Sequence, residues 1–119
     1  MPVPDLFKLW KEKRKKRQAA IRARARADAA SKWWEGCSLE VTLMQCDLAQ
    51  AIQIYNANPT EENQQKVDEA AAGCHGALDD LERARKDLER ERQKATDAER
   101  AADQADAEYQ KGLEASQTK

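Results

Sequence analysis

The chain has 119 residues, 36% of them charged and 5% aromatic, with only 4 Gly and 3 Pro, and much of its 40% apolar share is alanine. So few bulky apolar side chains and turn formers exclude a β-sandwich, a barrel or a βαβ enzyme and predict long helices or a coiled coil, in one domain spanning 1–119. The net charge of -1 hides two opposed stretches: residues 1–35 hold 11 Lys/Arg against 4 Asp/Glu, and residues 36–119 hold 10 against 18.

Pro2 and Pro4 keep the first residues extended, and Asp5 is placed to cap a helix that starts at Leu6. No further proline occurs before Pro59. The segment Asn56-Ala57-Asn58-Pro59-Thr60 is the strongest turn signal in the chain, because the residue before a proline avoids the helical region. Thr60 is a good N-cap, and Glu61 and Glu62 then sit where the helix dipole favours negative charge. Gly112 marks the end of the second arm, leaving 113–119 as a polar tail. The predicted fold is therefore all-α: an antiparallel coiled-coil hairpin of helices over about 5–57 and 60–112, associating into a helical bundle.

Alternating steps of three and four residues trace one apolar stripe along each arm, the pattern of a coiled coil. In the first arm it runs from Leu6 to Tyr55 and is interrupted only by Lys13 and Lys16; in the second it runs from Val67 to Gly112 and is interrupted only by Glu91. Aligning Leu48 with Ala70 and Leu6 with Gly112 puts large residues opposite small ones: Met44 faces Cys74, Cys37 faces Leu81, Trp34 faces Ala84 and Ala30 faces Leu88. Facing layers of that kind interdigitate without voids. Ala23 faces Ala95, which would bring the backbones unusually close. The same alignment sets the Lys/Arg run of 11–17 against Glu99, Asp103, Asp106 and Glu108.

Trp33–Tyr55 has a second apolar face. Leu39, Leu43, Cys46 and Ile54 recur at helical spacing outside the seam, Trp33 joins them as a candidate contact residue, and the only charges in the stretch are Glu35, Glu40 and Asp47. A helix that is apolar all round is ordinarily buried all round. A lone hairpin would leave this face in water, so self-association or a protein partner is expected to cover it. A bend at Gly36, folding the chain into three shorter helices, is the competing solution.

Little here suits catalysis. The one histidine, His75, follows Cys74, and adjacent helical residues point about 100° apart. The expected arrangement is Cys74 in the seam and His75 outside it. Cys37, Cys46 and Cys74 are too dispersed to form a zinc site and too few for a disulfide framework. No glycine loop cradles a phosphate. The sequence predicts a non-enzyme with no metal, no cofactor and no small-molecule substrate. The basic arm offers another use: Lys11, Lys13, Arg14, Lys15, Lys16, Arg17 and Arg22 could bind nucleic acid or an anionic membrane surface. Pairing with the chain's own acidic arm is the alternative.

No apolar run reaches the roughly 18 residues of a membrane span, and no signal-peptide pattern is present. A cytoplasmic location, or a place in a virion or secretion assembly, is expected. Trp34-Glu35-Gly36 forms a W-x-G triplet, which resembles the WXG-type small secreted helical-hairpin family. The resemblance implies a secreted hairpin with the triplet in its turn. In this sequence the triplet falls inside the first arm, and Tyr109 is followed by Leu113 where that family's Tyr-x-x-x-acid pattern has an acidic residue. The leading functional expectation is a structural subunit or adaptor of a larger assembly, including an inhibitor of a complex.

Overall fold

The computed structural model describes residues 4–117. It contains two helices, α1 (Leu6–Ala57) and α2 (Glu61–Gln117), joined by a turn into an all-α helical hairpin. Pro2, the first of the residues expected to be extended, lies outside the described residues.

Local hydrogen bonds explain the start of α1 and both sides of the turn. The Asp5 carboxylate accepts from the Lys8 amide at 3.0 Å, so Asp5 caps α1. At the far end the Asn58 amide donates to the Ile54 carbonyl at 3.0 Å and closes the last turn. Pro59 has no amide hydrogen to continue the ladder. The Thr60 hydroxyl then accepts from the Asn63 amide at 3.1 Å, and the Asn63 side chain reaches back to the Asn58 carbonyl at 2.8 Å. Asn58, Thr60 and Asn63 thus lock the connection, and no described residue has a positive φ.

The chain divides into two compact units, residues 1–29 with 89–119 and residues 30–88. In the first unit the core is almost entirely alanine. Ala23, Ala27 and Ala95 form one buried cluster with Ala98 packed against it, and Ala20, Ala102 and Ala105 are also buried. Small side chains let the helices approach closely. The closeness is measurable at Gly112, where a Cβ would lie 2.7 Å from Leu9 Cδ1 and 3.2 Å from Leu6 Cδ2. Gly112 therefore serves as a close-contact residue, and α2 continues through it to Gln117. The expectation that 113–119 form a polar tail is corrected for 113–117: leucine side chains pack where Gly112 has no Cβ, and its φ stays helical.

The second unit carries the larger seam residues. Ala30, Val41, Cys74, Ala77, Ala84 and Leu88 are buried, while Trp34, Cys37, Met44, Leu48 and Leu81 are half-buried. Met44 Sδ lies 3.4 Å from the Cβ position of Gly73, next to its expected partner Cys74. α1 is one continuous helix through Gly36, so the three-helix alternative is overturned. Nothing lies within 4 Å of a Cβ on Gly36, and no neighbouring group forces a bend there.

One seam position is also corrected. Lys16 is exposed and Arg17 takes the half-buried place beside the seam. Arg17 has two carboxylates to meet at that position, and the Lys16 ammonium keeps its hydration.

Candidate functional site

The second face of the 30–88 unit is where the sequence places it, on the outside of α1. Leu39 is 61% and Leu43 51% exposed, and Trp33, Cys46 and Ile54 are exposed as well. Leu39, Leu43 and Cys46 are spaced four and three apart, so they stack on one side of the helix, away from Val41 and Met44. Trp33 and Ile54 lie at the two ends of the strip. Ile52 and Leu78 are exposed too and flank the seam. Sequence reasoning passed over them because each is an isolated apolar residue beside the stripe. Counted by sequence, the unit has 5 Lys/Arg against 11 Asp/Glu, a net charge of -6.

The other unit holds the basic arm, with 16 Lys/Arg against 11 Asp/Glu, a surplus of +5. Pairing with the acidic helix is selective. Arg17 donates to Asp103 at 2.8 Å and to Asp106 at 2.6 Å, and Arg24 donates to Glu99 at 2.8 Å. Lys13 lies over the Tyr109 ring at 4.7 Å, Lys11 over Phe7 at 4.8 Å and Arg14 over Trp10 at 5.5 Å. Lys15, Lys16 and Arg22 are exposed. The acidic helix therefore engages part of the basic run and leaves the unit cationic.

The hydrogen bond from Arg24 holds the Glu99 carboxyl below its ordinary value of 4.5, and the nearby positive charge acts in the same direction. A depressed carboxylate pKa contributes stability that is present above the unfolded value and is lost as pH falls through the folded one. Arg24→Gln should therefore be less stable than the parent at neutral pH, with the gap closing in acid. Urea midpoints measured across that range test this, and a gap independent of pH would refute it.

Cys74 is buried in the seam and His75 is exposed beside it; Cys37 is half-buried, and all three cysteines are free thiols. Among the described residues no group of three His, Cys, Asp or Glu could hold a metal ion, and no helix is long and apolar enough to cross a membrane. Trp34-Glu35-Gly36 sits in the interior of α1, well before the turn at Asn58, so the arrangement implied by the WXG-type resemblance is not the one observed. No family model, curated protein or solved structure matches this chain.

Proposed function

We propose that this protein is a non-enzymatic coiled-coil interaction module, a structural subunit or adaptor that associates with itself through the outer face of α1 in the 30–88 unit. One observation carries the reading: Leu39 and Leu43 stand more than half exposed on a helix whose opposite side is already buried in the seam. Contiguous exposed apolar surface of this kind marks an interaction site. A second copy suits the face, because a self-complementary strip can close about a two-fold axis and bury the leucines from both sides. Burying each leucine contributes about 1.5–3 kcal/mol relative to leaving it in water.

The net charge of -6 opposes this contact and sets its salt dependence. Salt screens exposed like charges, so association should tighten as ionic strength rises. Light scattering at increasing salt is the test. A mass that is a multiple of 13.5 kDa supports the reading; a monomer at high salt and tens of micromolar protein removes it.

A further inference from the structure

We infer that the unit formed by residues 1–29 and 89–119 binds an anionic lipid surface through one strip of α1 built from Phe7, Trp10, Arg14 and Ile21. The spacing of three, four and seven residues keeps these side chains on one side of the helix. It is a different surface from the leucine face of the other unit.

The apolar part of the strip lies outside the seam. Phe7 is 65% and Ile21 63% exposed, and Trp10 is exposed beside them. Phe7 and Trp10 stack with ring centroids 6.2 Å apart and planes inclined by 16°. Phe7 and Ile21 stand mostly in water and Trp10 keeps 40% of its surface exposed, while the buried seam of this unit closes on alanine. Cations surround them: Lys8, Lys11, Lys15 and Arg22 are exposed, and Glu12 is the only acidic residue between Leu6 and Arg26. Of the acids across the hairpin, Asp103, Asp106 and Glu99 are bridged to Arg17 and Arg24, and Glu108 shares a cleft with Lys8 and Lys16.

Two polyanions would meet the charge, and the rings decide between them. Nucleic-acid stacking needs an open aromatic face. Here Lys11 and Arg14 already lie over the Phe7 and Trp10 rings. A lipid interface needs something different. It takes up the apolar body of an aromatic side chain at the headgroup boundary while neighbouring Lys and Arg meet anionic headgroups. Cations poised over rings that are still exposed match that demand.

The test is co-sedimentation of the full chain with vesicles of phosphatidylcholine mixed with phosphatidylserine, against phosphatidylcholine alone. Binding is expected only to the anionic vesicles, weakening as salt rises. Phe7→Ser/Trp10→Ser should lower the partition by about tenfold or more, while helix content by circular dichroism stays unchanged because neither side chain is in the seam. Lys11→Gln/Lys15→Gln/Arg22→Gln should abolish the preference for anionic vesicles. Equal binding by the Phe7→Ser/Trp10→Ser protein would overturn the proposal, as would the absence of vesicle binding. A DNA duplex that binds at the same salt and displaces the vesicles irrespective of the aromatic pair would assign the surface to nucleic acid.

Discussion

Leu39→Glu/Leu43→Glu is expected to run as a 13.5 kDa monomer at salt concentrations where the parent associates, with its helix content intact. Both side chains stand outside the seam, so their loss leaves the buried seam packing intact. In a two-fold assembly each substitution occurs twice, and each replaces favourable apolar burial with the cost of desolvating a carboxylate. The surrounding Glu35, Glu40 and Asp47 add like-charge repulsion. The combined loss exceeds what a weak self-association can absorb. Light scattering and circular dichroism on the same samples separate the alternatives. A mass unchanged from the parent would place the association on another surface, and a mutant that loses helix would show that the leucines support the fold itself.

The largest effect on stability is expected from enlarging an alanine in the tight seam. Ala95 is fully enclosed against Ala23 and Ala27. Ala95→Leu would have to push the helices apart or force a strained rotamer, at a cost of about 1–3 kcal/mol. The melting temperature of a chain this size should then fall by several degrees. Ala29→Leu, in the same unit but on the exposed side, is the control and should change stability by no more than about 0.5 kcal/mol. If both variants melt alike, the seam has room that the alanine packing denies.

Much of this was legible in the sequence because a coiled coil writes its contacts as a period. The steps from Leu6 to Tyr55 and from Val67 to Gly112 picked out the seam, and Asn58-Pro59-Thr60 marked the turn. What escaped was what the period does not encode. Lys16 and Arg17 are neighbours, and the choice between them rested on two carboxylates 86 and 89 residues further on. Gly112 read as a terminator, but its lack of a Cβ serves Leu6 and Leu9 on the other helix. The leucine face was visible because three apolar residues recur on it. Phe7, Trp10 and Ile21 were harder to connect: charged residues lie between them, and only the exposure of all three shows one surface.

The alanine seam has a calorimetric consequence. Among the described residues nine of the twelve buried apolar side chains are alanine, so unfolding exposes little new apolar surface for each residue released. The heat-capacity increment of unfolding follows that surface and should fall below the usual value of about 12–15 cal/mol/K per residue. A small increment flattens the dependence of stability on temperature. Cold should therefore weaken this hairpin less than it weakens a domain closed on leucine and phenylalanine.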